Sequence, residues 1–220
     1  MDSATDGPAR LALLDAGTDV AVTRRVYDEW APTYDGDDVG VLMGHMTAAQ
    51  VAERVASLVR PGTEVLDAAC GTGAVGAELA ARGFRSIDGL DLSPGMLRLA
   101  RRRGVYHDLG PADLRRTTPG AGSKYGVVTC VGAFAPGHLG PGALVGLVRV
   151  IRPDGFLVAT VAEETWAAEG YDRVLARLVA DGYAHLVEQT DTEDPAGPGR
   201  LLVLSAREVP GPGRSVIWIP

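Results

Sequence analysis

Val65-Leu66-Asp67-Ala68-Ala69-Cys70-Gly71-Thr72-Gly73-Ala74-Val75-Gly76 decides the fold. A short apolar run ends in a carboxylate, enters a glycine-rich turn and leaves it as a helix. Glycines at 71, 73 and 76 let backbone approach a ligand where a β-carbon would collide. The helix that begins near Gly73 turns its unpaired N–H groups toward the same spot. Ile87-Asp88-Gly89-Leu90-Asp91 then reads as a second strand that also ends in an acid. Together they make a βαβ nucleoside-binding unit, with Asp91 placed to accept hydrogen bonds from ribose hydroxyls.

Working outward, strand and helix patterns alternate. Strands are expected at about 64–68, 86–91, 105–108, 126–131 and 155–161, with helices near 73–82, 93–103, 141–150 and 169–181. Apolar strands alternating with helices predict a parallel sheet covered on both faces. The end of the chain differs. Ala184–Gln189 and Leu201–Arg207 are strand-like, and the Asp194–Gly199 stretch between them leaves no room for a helix, so an antiparallel hairpin is expected. Upstream, Thr18 is a candidate N-cap for a helix over Asp19–Trp30, and a second helix is expected over about Thr47–Leu58, stopping before Arg60-Pro61-Gly62. The division expected is an arm over 1–17, a helical cover over 18–60, the core over 61–210 and a tail over 211–220.

The glycine pattern by itself also fits nicotinamide and flavin sites. Asp67 separates them. A dinucleotide pyrophosphate lies over this turn, and a carboxylate there would repel it. S-adenosylmethionine carries sulfonium and ammonium charges and no phosphate, so it tolerates the acid.

With 220 residues, one domain is expected. The formal net charge of −7 argues against a nucleic-acid substrate or an anionic membrane surface. No apolar run reaches transmembrane length, and the acidic start Met1-Asp2-Ser3-Ala4-Thr5-Asp6 is unlike a signal peptide. Cys70 and Cys130 sit in strand-end patterns and read as reduced core thiols of a cytoplasmic protein. No Cys/His spacing suggests a metal site.

Several motifs resemble one family. Tyr27-Asp28-Glu29-Trp30-Ala31-Pro32-Thr33-Tyr34-Asp35, the Asp67–Gly73 string, Leu90-Asp91-Leu92-Ser93-Pro94-Gly95-Met96-Leu97, Ala112-Asp113-Leu114 and Leu147–Gly155 all match. Over about residues 26–208 the chain resembles class I S-adenosylmethionine-dependent methyltransferases, nearest to methyltransferase-like proteins of the Williams–Beuren-region type and bacterial small-molecule methyltransferases. The resemblance implies a Rossmann-like α/β fold: a doubly wound, mostly parallel sheet ending in an antiparallel hairpin, with an N-terminal helical cover. It also implies roles. Asp67 and the turn at Ala69, Gly71 and Gly73 hold the methionine end of S-adenosylmethionine, and Asp91 holds the ribose. Leu92 and Met96 pack on adenine, Asp113 accepts from the adenine amino group, and Leu114 lies against the ring. Tyr34 and Trp30 look like a lid, although Tyr27, Trp30 and Tyr34 also recur as a helix-packing stripe. Two departures stand out: Tyr125-Gly126 replaces the family's Phe-Asp, and Gly40–Met46 departs from the expected substrate-facing segment.

Methyl transfer needs alignment in a dry pocket, plus a general base if the acceptor is a poorly acidic oxygen or nitrogen. His138, after the fourth strand, is the candidate base. Its other reading is a loop or helix-cap histidine. His45, Glu163 and Glu164 are further candidates, with Glu163 and Glu164 also readable as a solvated helix start. Arg101-Arg102-Arg103 reads only as a cationic helix end. The expected partner is a small-molecule acceptor, and the expected state a monomer or homodimer. A binding protein or cyclase on the same fold stays open. A Tyr-x-x-x-Lys dehydrogenase is excluded, because the sole lysine, Lys124, has Gly120 four residues before it.

Overall fold

The structure, a computed structural model, describes residues 10–14, 18–36, 46–116, 122–194 and 197–208. Among the described residues, two helices of eleven residues each precede the sheet. α1 (Val20–Trp30) is capped by Asp19, whose side chain accepts from the Ala21 N–H, rather than by Thr18. α2 (Ala48–Leu58) starts with a reciprocal Thr47–Gln50 capping box. Then come β1 (Val65–Ala68), α3 (Ala74–Ala81), β2 (Ile87–Asp91), α4 (Pro94–Arg103), β3 (Asp108–Pro111), β4 (Tyr125–Phe134), α5 (Gly142–Arg149) and β5 (Ile151–Ala162). The chain continues through α6 (Glu163–Glu169), α7 (Tyr171–Ala180), β6 (Ala184–Asp194) and β7 (Gly197–Ala206).

The strands form one sheet in the order β3-β2-β1-β4-β5-β7-β6. β1 lies beside the central strand β4, parallel to it (Val65 opposite Val127) and to β2 (Val65 opposite Ile87). The hairpin closes the sheet antiparallel: β7 pairs with β5 (Phe156 opposite Ser205) and β6 pairs with β7 (Ala184 opposite Ala206). The arrangement is the doubly wound α/β sheet expected, with the hairpin's inner strand inserted next to β5.

Successive strand residues point to opposite faces and make two apolar layers. Leu66, Val128 and Leu157 pack with Leu144 and Leu147 of α5 and with Leu175 and Leu178 of α7. Val65, Val127 and Val158 pack with Val51 and Val55 of α2 and with Val75 and Leu79 of α3. Each of these buried side chains contributes at most about 1.5–3 kcal/mol. α2 is therefore a core layer of the sheet, and the N-terminal cover among the described residues is α1 with the short 3₁₀ turn Tyr34–Gly36. The carboxyl ends of β1, β2 and β4 come together at one edge of the sheet, as the fold requires of a ligand site.

Gly126 opens the space for a different packing. A β-carbon there would run into Thr63 and Arg152, and the Tyr125 hydroxyl instead donates to Asp88 at 2.9 Å. Asp88 also takes Lys124 at 2.6 Å, and this partnership holds its carboxyl below the usual carboxylate range although partial burial opposes it.

Candidate active site

The acid at the end of β2 organises the edge. Asp91 Oδ2 accepts from the Gly71 N–H and Oδ1 from the Ser93 N–H, both at 2.8 Å. One carboxylate thus ties the glycine turn to the start of α4 and keeps lone pairs for ligand hydroxyls. Burial pushes its carboxyl up to about 6, although the backbone donors pull the other way. The turn is held left-handed at Ala69 (φ 58°) and Gly71 (φ 54°). Ala69 bears a β-carbon, so its conformation is strained, as backbone often is where it faces a ligand.

Beneath the turn the structure departs from the sequence reading. Asp67 Oδ2 accepts from the Tyr106 hydroxyl at 2.7 Å and Oδ1 from the Thr129 hydroxyl at 2.9 Å. The side chain is 2 % exposed, and burial raises its carboxyl to about 6. Gly76 faces Tyr106: a β-carbon there would collide with the phenol, and one at Gly73 would lie 2.9 Å from the ring. These two glycines make room for Tyr106, not for a ligand, and only Gly71 faces the open side.

The N-terminal cover closes that side. Asp28 Oδ1 accepts from the Ser93 hydroxyl at 2.6 Å and from the Gly95 N–H at 2.7 Å, at the N-terminus of α4. Asp35 Oδ1 accepts from the Thr72 hydroxyl at 2.6 Å, and its Oδ2 takes Arg103 at 2.8 Å. Arg103 also donates to the Thr72 carbonyl at 2.7 Å. Arg103 thus bridges cover and turn, a role beyond the helix end read from the sequence. Trp30 is wholly buried against Ala135 and Ala162 and belongs to the packing stripe, while Tyr27 and Tyr34 face the site.

Two adjoining recesses result. Ala69, Asp91, Ala133 and His138 line both. Leu92, Asp113 and Leu114 line the first. Tyr34, Gly71 and Met96 line the second. All the expected cofactor residues except Asp67 and Gly73 meet there, and His138 joins them. Asp113 accepts from Arg115 N at 3.1 Å and lies 3.4 Å from its Nε. Among the described lining residues Arg115 is the one lysine or arginine, and it is paired with that acid. The donor set of S-adenosylmethionine, with hydroxyls, an amino group and no phosphate, fits Asp91 and Asp113.

His138 sits in the loop after β4. Its Nδ1 lies 2.7 Å from the Pro136 carbonyl oxygen, and its Nε2 lies 2.6 Å from the Tyr27 hydroxyl. Burial holds the imidazole below its usual pKa. Glu163, by contrast, is taken by Arg200 at 2.6 and 2.9 Å. His45 and the rest of Gly40–His45 lie outside the described residues, as do 1–9, 15–17 and the 211–220 tail. Tyr106, Asp28, Asp35 and Tyr27 were not assigned these contacts from sequence. Their only sequence signal was a run of polar and aromatic residues before the core and one tyrosine after α4.

Residues 65–155 match the family model of the methyltransferase domain. Human methyltransferase-like protein 27 is 36% identical over 157 residues, covering 69% of this chain and 62% of that protein. The dTDP-3-amino-3,6-dideoxy-alpha-D-glucopyranose N,N-dimethyltransferase of Streptomyces fradiae is 33% identical over 132 residues, covering 58% of this chain and 49% of that enzyme. The chain thus spans less than two thirds of the length of either relative. The [4+2]-cyclase SpnF superposes with a TM-score of 0.64 at 16% identity, covering 88% of this chain and 98% of that one. Residues 65–155 are a class I S-adenosylmethionine-dependent methyltransferase domain, set in the complete doubly wound sheet of that class.

Proposed function

We propose that the protein transfers a methyl group from S-adenosylmethionine to an oxygen, nitrogen or carbon of a small molecule. The observation that carries this is the convergence of Asp91, Asp113, the left-handed turn at Ala69–Gly71 and His138 on one edge of the sheet. S-adenosylmethionine supplies a methyl carbon already activated by the sulfonium. Asp91 accepts from the ribose hydroxyls, Asp113 from the adenine amino group, and Leu92, Met96 and Leu114 give the base an apolar seat. Asp67 acts at the methionine end from beneath the turn. The cover excludes water and aligns the acceptor, and His138, neutral because it is buried, takes the acceptor's proton.

Tyr27 and Tyr34 line the second recess and narrow the room for an acceptor, and the 33% identical Streptomyces relative is named for an amino sugar nucleotide. The acidic chain suits neither nucleic acid nor an anionic membrane. Among the described residues no helix is long and apolar enough to cross a membrane. Buried free thiols at Cys70 and Cys130 suit a reducing compartment such as the cytoplasm.

Calorimetry tests the reading. S-adenosylhomocysteine should bind and NAD should not, and Asp91→Ala should weaken binding by about 1.5–3 kcal/mol, the scale of hydrogen bonds to a charged group. Tight NAD binding without S-adenosylhomocysteine binding would overturn it. Binding without S-adenosylhomocysteine formation in the presence of a cell extract would favour a binding protein or a cyclase on this fold.

A further inference from the structure

We infer that Tyr27, on the N-terminal cover, is the residue that meets the acceptor, and that it passes the acceptor's proton on to His138. This rests on the methyl-transfer reading above and changes which side chain touches the substrate.

The argument starts from the Pro136 carbonyl. A carbonyl oxygen only accepts, so the 2.7 Å contact makes Nδ1 of His138 a donor. A neutral ring with its proton on Nδ1 has its one lone pair on Nε2. That lone pair is already engaged, because the Tyr27 hydroxyl donates to it across 2.6 Å. The base is therefore capped, and by a residue that itself lines the recess with Gly71, Asp91 and Tyr34. The phenol oxygen has a second acceptor position free for an incoming O–H or N–H.

An acceptor reaching Nε2 directly would have to expel Tyr27, and the surroundings resist that. The Tyr27 ring stacks on Trp30, with centroids 5.9 Å apart, and packs edge-on to His138 at 5.6 Å. Its neighbour Asp28 is bonded to both Ser93 and Gly95. Moving the phenol aside would strain the contact between α1 and α4 and strand a buried hydroxyl. Relaying through it disturbs nothing.

The groups facing the pair are Tyr34 from the cover, Asp91 from β2, Arg115 after β3 and Glu169 across the adjoining cleft. Burial raises the phenols of Tyr27 and Tyr34 well above their usual pKa and lowers that of His138. Neither phenol is ionised at rest, and the imidazole is free to receive a proton. In the step, the acceptor's proton moves to Tyr27 Oη as the Tyr27 proton moves to Nε2. The acceptor's lone pair forms the new bond to the methyl carbon, and the carbon–sulfur bond breaks with its electron pair going to sulfur. The products are the methylated acceptor, S-adenosylhomocysteine and an imidazolium that later gives its proton to water. Tyr27 ends as it began.

Two measurements on the full chain test the relay. Nitrogen NMR of the imidazoles, with His138 assigned by comparison with His138→Ala, reads the pair without any acceptor. A protonated Nδ1 and a hydrogen-bonded Nε2, whose resonance moves toward the free-acceptor position in Tyr27→Phe, is expected. A neutral ring protonated at Nε2, or a resonance indifferent to Tyr27→Phe, would overturn it. Turnover is then read as S-adenosylhomocysteine formed from S-adenosylmethionine with phenol, benzylamine and the low-molecular-weight fraction of a cell extract as probes. Tyr27→Phe and His138→Ala should each slow turnover by about 10²–10⁴-fold at unchanged S-adenosylhomocysteine affinity. The double variant should lose at most a few-fold more, because the two act as one unit. The wild-type rate should fall as pH drops through the His138 pKa, and neither single variant should show that limb. A Tyr27→Phe enzyme that keeps the wild-type rate while His138→Ala is slow would show that the acceptor meets His138 directly, and the relay would be wrong. Absence of cofactor binding, or of turnover with every probe, would instead count against the methyl-transfer reading, and the nitrogen spectra would still decide the pair.

Discussion

The glycine turn and the N-terminal cover face each other across the same recess but are held in different ways. The turn is fixed by backbone and by groups close in the chain. Cys70 N bonds the Leu90 carbonyl and Gly73 N bonds the Cys70 carbonyl, each at 2.9 Å, and Asp91 binds Gly71 and Ser93. Beneath it Tyr106 and Thr129 fill the space around Asp67. Among its described residues the cover buries Val26, Trp30 and Ala31 but has no buried acid of this kind. It is held by side chains reaching across the sequence: Asp28 to α4, Asp35 to Thr72 and Arg103, and Tyr27 to His138. A dense, partly charged core under the turn should respond to change with large global effects. A cover held by a few directional bonds should respond with small, local ones.

The largest effect should come from the buried acid. In unfolded chains an aspartate titrates near about 3.9, and in the folded protein Asp67 is pushed up to about 6. Its contribution to stability is therefore full below the unfolded value and lost as pH rises through about 6, so at neutral pH the ionised group is a liability of about 2–3 kcal/mol. Asp67→Asn should be more stable than wild type to urea at about pH 8, with the advantage shrinking toward about pH 4. An advantage that does not vary with pH would mean that Asp67 does not titrate this way. An acid kept against its stability cost fits a functional role.

Next comes Gly76→Ala, expected to cost about 1–3 kcal/mol by overpacking against Tyr106. Thermal unfolding should show the loss, and a Tyr106→Ala background should abolish it. An equal loss in both backgrounds would locate the strain elsewhere.

On the cover the effects should shrink. Asp28→Ala removes the acceptor for Ser93 and Gly95 at a helix start, worth about 0.5–2 kcal/mol. Hydrogen exchange should quicken over Val20–Trp30 and stay unchanged over Val65–Ala68. Matching changes in both segments would mean that cover and core open together. The smallest expected effect is that of Arg103→Gln. Its ion pair with Asp35 is partly exposed, at 31% and 55% side-chain accessibility, so about 0.2–1 kcal/mol in thermal stability is expected. A larger loss would make the bridge to Thr72 a principal hinge of the site.

The same contrast separates what was legible in the sequence from what was not. The β1–turn–α3–β2 unit was readable because strand-end acids, turn glycines and hydrophobic periods are local patterns, and α2, α4, α5 and the closing hairpin followed in the same way. The third strand was expected at 105–108 and forms at Asp108–Pro111, because Tyr106 is drawn under the turn to Asp67 and pairing with β2 starts only beyond it. α6 was read only as a helix start at Glu163 and Glu164, because seven residues, Glu163–Glu169, are too few to show a period. The hairpin runs longer than read, through Asp194, because pairing with β7 sustains it past the polar stretch.

By itself the sequence determined the order of elements, the acids that end β1 and β2 and the glycines of the turn. Propensity, periodicity and charge are properties of short segments. The tertiary structure alone decided that Gly76 makes room for Tyr106 and that Arg103 ties cover to turn. It also decided that His138 Nε2 meets the hydroxyl of Tyr27, 111 residues away in the chain. Which polar groups find one another depends on packing distances between elements, and no local pattern encodes those.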